Sequence, residues 1–211
     1  MKTFSSGDIV EMDKRFRANF INSISGFKSA NLIGTVNNEG RTNLAIFSSV
    51  IHIGANPPLI GFILRPTTVE RHTYNNIIAK RFYTISALPF LMKEDGHRTS
   101  AKYPKGESEF DKTSFTPEFN DFDVPYIKES PIALTCELKS EQLLEVNHTR
   151  LIIGEVKEVK LNPKFLNQDG FYALAEAGVS AISGMDSYHQ VEMGSRFDYA
   201  RPDQEITFLP Q

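Results

Sequence analysis

Hydrogen-bond donors are concentrated in one short segment, FILRPTTVERHTYNNI, which spans residues 62–77. An apolar run ends there and is followed by six polar side chains: Arg65, Thr67, Thr68, Arg71, His72 and Thr73. The apolar run predicts a strand, and the spacing of Tyr74, Ile77 and Ile78 predicts a helix after it. A helix N-terminus exposes unpaired N–H groups and the positive end of the helix dipole, so this combination can hold a phosphate.

The same residues also allow a purely structural interpretation. Thr67 stands three residues before Glu70, which is the spacing of a capping box that satisfies the first N–H groups of a helix. In that case Thr67 and Glu70 cap the helix and the two arginines face solvent. The Glu70 carboxylate would also compete with an anion for the same donors. Spacing alone leaves both interpretations open.

A second segment, TNLAIFSSV at residues 42–50, places small residues and two adjacent serines in the middle of a predicted strand. A backbone edge and short hydroxyl groups at such a place can approach a flat heterocycle closely. The alternative is an ordinary half-buried strand whose serines face solvent.

The elements that would position these segments are mostly strands. SANLIGTV and TNLAIFSSVIHI, separated by the turn sequence NNEG, predict a β-hairpin. Four further strands are predicted by PPLIGFIL, RFYTISAL, PIALTCELK and TRLIIGEVKEVKL. Ile9, Met12, Phe16 and Phe20 recur at helical spacing and predict an amphipathic N-terminal helix.

The remaining regions are less regular. Residues 89–130 are rich in turn formers and charges, which predicts a long irregular excursion with short helical pieces. The segment after residue 161 shows one helical turn around residues 173–177 and otherwise has the composition of a loop. Because helices are too few to supply a crossover for every strand, the sequence predicts a mainly β, antiparallel barrel with peripheral helices, forming a single domain over residues 1–211.

Composition restricts the function classes. The 211 residues carry a formal charge of −3 with no block of basic residues, which argues against nucleic-acid binding and against binding to an anionic membrane. No continuous apolar segment has the length of a signal peptide or a membrane span, so we expect a cytoplasmic protein. Cys136 is the single cysteine and lies in a strand-like run, where a buried, inert thiol is expected.

Common catalytic and nucleotide-binding motifs are absent from the sequence. No glycine-rich Rossmann or Walker sequence is present. The five histidines show no metal-ligand spacing, so no metal site is expected. GVSAISG has the wrong spacing for a nucleophile elbow. The residues alone therefore identify no catalytic group.

Four segments carry a resemblance to a known family: NLIGTVNNEGRTNLAIFSSV, NPPLIGFILRPTTVERHTYNNI, SAKYPKGESEFDKTSFTPE and LIIGEV. In this order and at this spacing they resemble the flavin reductase-like family of FMN-binding split-barrel proteins. The resemblance runs from about Asn19 to Pro202, and the closing YARP is similar to the family's ending. It implies an antiparallel Greek-key split barrel, non-covalently bound FMN, and a homodimer whose interface borders the flavin.

The resemblance also implies the site residues. The segment from Asn43 to Ser49, including Ser48, would lie along the isoalloxazine, with backbone groups near Ala45, Ile46 and Phe47 at the polar ring edge. The phosphate and ribityl chain would be held by Arg65, Thr67, Thr68, Arg71, His72 and Thr73. Ser100 and Lys102 match positions near the cofactor, on the same or the neighbouring subunit. Two bidentate guanidinium groups suit a dianionic phosphate, which favours the anion-binding interpretation of residues 65–73.

The function implied is hydride transfer from NADH or NADPH to flavin. The flavin supplies the redox chemistry, so the protein need only position two rings and stabilise reduced flavin. His148 either lines the nicotinamide side or is a satisfied histidine at the barrel end. Two alternatives remain: an FMN-binding electron carrier without a nicotinamide site, and a flavin-free interaction protein that kept the fold. Pyridoxamine-phosphate oxidases share the barrel, but the motifs are more similar to those of the reductases.

Overall fold

The computed structural model describes residues 1–104 and 106–209, and its central feature is an antiparallel sheet. Lys105 of the predicted excursion and the last two residues of the predicted domain, Pro210 and Gln211, lie outside the described residues. The sheet contains seven strands: β2 (Asn31–Val36), β3 (Thr42–Phe47), β4 (Ile51–Ala55), β5 (Pro58–Leu64), β6 (Phe82–Ala87), β9 (Ile132–Leu144) and β10 (Thr149–Leu161).

The other elements surround this sheet. The helices are α1 (Ser6–Glu11), α2 (Lys14–Ile24), α3 (His72–Lys80) and α4 (Lys93–Arg98), with 3₁₀ turns at Phe90–Met92, Glu109–Lys112 and Pro163–Phe165. The short strands are β1 (Lys28–Ser29), β7 (Pro117–Phe119), β8 (Pro125–Ile127), β11 (Ser180–Ser183) and β12 (Ser187–Gln190). Among the described residues, no helix has the length and apolar character needed to cross a membrane.

The strand order β3-β2-β6-β9-β10-β5-β4 shows why the sheet must curl. A flat seven-stranded sheet would hold its two edges about 29 Å apart, at about 4.8 Å per strand spacing. The edge strands β3 and β4 are nevertheless joined by residues 48–50 alone. The chain from Phe47 to Ile51 spans at most about 14 Å. The two edges therefore approach each other, and the sheet forms a split barrel.

Side chains join the end of β3 and the link after it to β5. The Ser49 hydroxyl donates to the Ile63 carbonyl at 2.9 Å and accepts from the Ile63 N–H at 3.2 Å. The Phe47 and Phe62 rings meet edge to face, with their centroids 5.1 Å apart. The chain then leaves β5 and crosses the barrel end as α3 before it enters β6, which gives the Greek-key connection.

The sheet is covered on both faces at β2, which explains why all six residues of this strand are buried. Ile33 belongs to the barrel interior together with Phe62, Tyr83 and Ile77 of α3. Leu32 belongs to a second apolar cluster, which also contains Phe110 and Phe115 of the excursion. The excursion is thus an outer layer packed on the sheet.

Gly34 allows this layer to approach. A Cβ at Gly34 would collide with the Pro125 carbonyl oxygen, which accepts a hydrogen bond of 2.5 Å from the Thr84 hydroxyl. A side chain at residue 34 would therefore push the excursion off the sheet.

Most predicted strands are confirmed, and three local expectations are wrong. The predicted N-terminal helix is two helices, because Asp13 accepts from the N–H groups of Arg15 and Phe16 and caps a new helix. The run TNLAIFSSVIHI divides into β3 and β4, so the serines lie between strands and not within one. Residues 180–190, which were expected to be loop, form a hairpin that pairs with β1. The single helical turn predicted around residues 173–177 is confirmed, because the Ala177 N–H donates to the Ala173 carbonyl at 3.0 Å.

Candidate functional site

The N-terminus of α3 lies where the sequence predicts an anion site, and the alternative capping box does not form. The helix begins at His72, with Arg71 as its N-cap residue, and no side chain in the described structure caps it. Thr67 is too far along the chain from this start to act as the cap. Its Oγ1 instead accepts a hydrogen bond of 3.2 Å from Nε of Arg150.

The two arginines that precede this uncapped end use few of their donors within the chain. The whole of α3 is described, and its first turn contains no acidic residue. Arg65 is exposed, and its Nη2 makes only a long contact of 3.9 Å with the Met185 sulfur. Arg71 is half-buried, and its Nε donates to the Pro66 carbonyl at 3.4 Å. Since a guanidinium group has five N–H donors, most of those on both arginines remain for a ligand.

Two of the predicted residues, Asn43 and Thr73, bind each other beneath this surface. The Asn43 side-chain amide donates to the Thr73 hydroxyl at 3.1 Å and to the Thr35 hydroxyl at 3.3 Å. The Asn76 amide donates to the same Thr35 oxygen at 3.0 Å, and all four side chains are buried. This network fixes the start of α3 against β2 and β3, so Asn43 and Thr73 support the site from below.

The edge of β3 offers backbone groups at one defined residue. The Leu44 N–H points away from β2 and donates to the buried Glu109 carboxylate at 2.8 Å. In an antiparallel strand the N–H and C=O groups of alternate residues point to the same side. The backbone groups of Ile46 therefore also point away from β2, whereas those of Ala45 and Phe47 pair with it. Of the three predicted backbone positions, Ile46 supplies the open edge.

The remaining predicted residues lie either beside the start of α3 or in the link after β3. Thr68 is exposed and His72 is half-buried, and both lie beside the start of α3. Ser48 and Ser49 are half-buried in the link between β3 and β4, where the Ser49 hydroxyl bonds the backbone of Ile63 in β5.

Two predicted positions and His148 make no direct hydrogen bond to the site within the described residues. Ser100 and Lys102 are exposed after α4, and no hydrogen bond within residues 1–104 and 106–209 joins their side chains to β3 or α3. His148 is exposed in the turn between β9 and β10, where its φ of 58° places it in the left-handed region.

Two residues that the sequence did not identify, Arg150 and Glu109, contact the predicted segments. Arg150 on β10 is paired with Leu64, the residue before Arg65. Glu109 lies in the excursion, and its burial raises its pKa, against the opposing effect of the hydrogen bond from the Leu44 N–H. Neither contact has a local sequence signal, because each joins residues more than 60 positions apart.

A cavity of about 410 Å³ lies beside the site, between α2 and the β11–β12 hairpin. Phe16 and Phe20 form part of one wall, and residues 183–187 form the other. Met185 in that second wall is the residue that contacts Arg65.

Comparison with known proteins identifies related sequences and folds. The family model of the flavin reductase like domain matches residues 24–176. A crystal structure of a candidate flavin reductase with a split-barrel domain from Shewanella frigidimarina is 46% identical to this chain. It covers 95% of this chain and all of its own, with a TM-score of 0.91.

More distant structures share the fold. Nitrilotriacetate monooxygenase component B from Bacillus cereus is 20% identical, covers 92% of this chain and 97% of its own, and has a TM-score of 0.79. Flavoredoxin of Desulfovibrio vulgaris is 23% identical, covers 84% of this chain and 91% of its own, and has a TM-score of 0.69.

Proposed function

The chain belongs to the flavin reductase-like family, and from this premise we propose that it is an oxidoreductase that binds FMN and passes hydride from NADH or NADPH to flavin. The observation that carries the proposal is the uncapped start of α3, which directly follows the segment containing Arg65 and Arg71 and is joined to β3 by the hydrogen bond between Thr73 and Asn43. Bound FMN supplies the hydride acceptor, and the protein supplies binding and orientation.

The phosphate part of the site uses charge and free N–H groups. Arg65, Arg71 and the first-turn N–H groups of α3 would hold the dianion, with Thr67 and Thr68 hydroxyls beside them. Charged hydrogen bonds of this kind are about twice as strong as neutral ones. The buried amide and hydroxyl network under Thr73 keeps the helix start in place without consuming these donors.

The ring part of the site uses the open edge of β3. The N–H and C=O groups of Ile46 form a donor and an acceptor on one side of the strand. This pair complements the acceptor and donor atoms on the pyrimidine side of an isoalloxazine. Glu109 occupies the preceding outward N–H, at Leu44, so Ile46 is the next outward-facing residue along the edge.

The reductase proposal is tested by anaerobic mixing of the FMN-loaded protein with NADH and, separately, with NADPH. We expect the visible absorbance of oxidised flavin to disappear with at least one donor. Colour that persists with both donors, but is lost on adding dithionite, would contradict the reductase function and support the electron-carrier alternative. One structural neighbour is a flavoredoxin, which makes that alternative the second candidate.

We also propose that the protein is a homodimer. The C-terminal segment folds back on itself through a bridge between Phe197 and Phe208, and both rings remain exposed, by 51% and 68%. Tyr199 between them is 84% exposed. A second subunit would bury these rings. It would also provide a route by which the exposed Ser100 and Lys102 could reach the flavin of the neighbouring subunit.

A further inference from the structure

Arg150 connects the anion site to the barrel through four elements. It is paired with Leu64 at the end of β5, and its guanidinium forms an ion pair with Glu141 on β9. The guanidinium carbon lies 5.0 Å from the centre of the Tyr74 ring on α3, and the Tyr74 hydroxyl donates to the same Glu141 carboxylate at 3.2 Å. These contacts hold the guanidinium group in one orientation.

In that orientation, Nε of Arg150 donates to Oγ1 of Thr67 at 3.2 Å. A hydroxyl group has one donor hydrogen and two acceptor lone pairs. Because Arg150 fills an acceptor position, the hydroxyl hydrogen of Thr67 is left to donate elsewhere. The positive charge beside the oxygen also makes this hydrogen a better donor to an anion.

We infer that Arg150 is a positioning residue, which orients the Thr67 hydroxyl and segment 65–71 for a phosphate ester and thereby makes the site prefer FMN over riboflavin. This inference rests on the proposed function. Arg150 acts through Thr67 and not by contact with the phosphate, since Glu141 and Tyr74 hold its guanidinium on the barrel side.

The first experiment measures dissociation constants for FMN and riboflavin with the wild type, Arg150→Met and Arg150→Lys. Loss of an oriented, charge-assisted donor predicts about tenfold weaker FMN binding in Arg150→Met, with riboflavin binding unchanged. Arg150→Lys keeps the charge but has no Nε in the same plane, so we expect it to behave like Arg150→Met. Equal weakening for both flavins, or full FMN affinity in either variant, would overturn the inference.

Lys157→Met provides the matched control. It removes one positive charge from the same strand, but Lys157 pairs with Glu137 and Glu155 far along β10 from Thr67. We expect FMN binding in this variant to equal that of the wild type. A loss as large as that of Arg150→Met would mean that net charge, and not the contact with Thr67, determines affinity.

A double-mutant cycle separates positioning from direct contact. If Arg150 acts through Thr67, then Arg150→Met adds no further loss of FMN affinity once Thr67→Val is present. Independent losses that multiply in the double variant would show that Arg150 binds the phosphate itself and would overturn the positioning role.

A measurement without ligand distinguishes failure of the inference from failure of the proposed function. Hydrogen exchange of the flavin-free protein reports the order of segment 65–71. We expect its amides to exchange roughly tenfold faster in Arg150→Met than in the wild type or Lys157→Met, since the tie to β10 is lost. If the wild type bound no flavin, the proposed function would fail. Unchanged exchange in Arg150→Met would show that the hydrogen bond from Arg150 to Thr67 does not order segment 65–71, and would overturn the inference.

Discussion

At the residue scale, Glu109 is a buried carboxyl group that accepts a hydrogen bond from the backbone of Leu44. Its side chain is 7% exposed and accepts the Leu44 N–H, and burial raises its pKa above the ordinary value. Folding therefore favours the protonated form of Glu109. The contribution of this group to the free energy of unfolding is largest below the unfolded-state pKa and is lost as pH rises through the folded-state pKa.

This pH dependence can be isolated with Glu109→Gln, whose amide oxygen still accepts the Leu44 N–H. Upward from about pH 4.5, the ordinary pKa of Glu109, the wild type should lose stability relative to the variant. The loss should reach at most about 1.4 kcal/mol per pH unit. Urea unfolding at several pH values measures the difference, and two parallel pH profiles would contradict the prediction.

A second residue-scale prediction concerns Gly154 in β10. A Cβ at this position would collide with the Tyr83 hydroxyl and would lie 3.1 Å from the Cys136 Cβ. The Tyr83 hydroxyl is buried beside the weakly polar Cys136 thiol, and no group among the described residues offers it a hydrogen bond of ordinary geometry. Gly154→Ala should therefore lower the free energy of unfolding by about 1–3 kcal/mol, as overpacking does.

Removal of the colliding oxygen provides the internal control. Tyr83→Phe should be neutral or stabilising, because it deletes a buried group that lacks a good partner. In the Tyr83→Phe background, Gly154→Ala should cost less than in the wild type. Equal costs in the two backgrounds, measured by urea denaturation, would show that the hydroxyl is not the obstacle.

The donors themselves were predictable from the sequence, whereas their partners were not. Arg65 and Arg71 stand next to a strand end and a helix start that local patterns identify. The partners Arg150 and Glu109 come from β10 and the excursion. The strand order that brings them close has no signature in one sequence.

The capping-box interpretation shows where residue spacing stops being informative. Thr67 and Glu70 have the separation that a capping box requires, but α3 begins at His72, which lies beyond both residues. The Thr67 hydroxyl accepts from Arg150 on β10 instead. The exact start of a helix thus depends on contacts with distant strands, which a local pattern does not record.

At the scale of elements, the start of α3 carries a cost to stability that fits its proposed role. Helices usually begin with Ser, Thr, Asp or Asn, whose side chains accept an N–H of the first turn. Arg71 occupies that position and makes no such bond in the described structure. The N–H groups of the first turn therefore remain available to a ligand.

Arg71→Ser should separate stability from binding. A serine at the N-cap is expected to raise the free energy of unfolding of the flavin-free protein by about 0.5–2 kcal/mol. The same change removes a guanidinium group and fills a first-turn N–H, so FMN binding should weaken by about 1.5–3 kcal/mol. Thermal unfolding without flavin and an FMN titration measure the two effects. Unchanged FMN affinity would remove Arg71 from the site.

The strands show which elements local pattern can identify. The hairpin of β2 and β3 follows from the turn sequence and the apolar runs on either side of it. The division of residues 42–55 into β3 and β4 does not follow from local pattern. Both strands are made of similar strand-forming residues, and they differ in their pairing partners, β2 for β3 and β5 for β4. The β11–β12 hairpin is short and pairs with the two residues of β1, so its signal was too weak to predict.

At the scale of the whole molecule, the candidate site depends on how the split barrel brings its two sheet edges together. The edges β3 and β4 are brought together by the link at residues 48–50, and α3 crosses the barrel end beside them. The sequence predicted this architecture through composition and resemblance. It did not predict the exposed C-terminal rings, whose burial would require a second chain.

The homodimer is tested by sedimentation equilibrium or light scattering at micromolar concentration. We expect a mass of twice the 23.8 kDa of one chain. Substitution of both Phe197 and Phe208 by Ser should shift the equilibrium toward the monomer, since it removes two exposed rings that the proposed interface would bury. A monomeric wild type would contradict the dimer.

A crystal structure of the protein grown with saturating FMN would decide whether the start of α3 and the edge of β3 form a flavin site. We expect the phosphate at the start of α3, in hydrogen-bond contact with Arg65 and Arg71, and the ring edge against the backbone of Ile46. Flavin bound elsewhere, or no flavin density beside these residues, would contradict the proposed site.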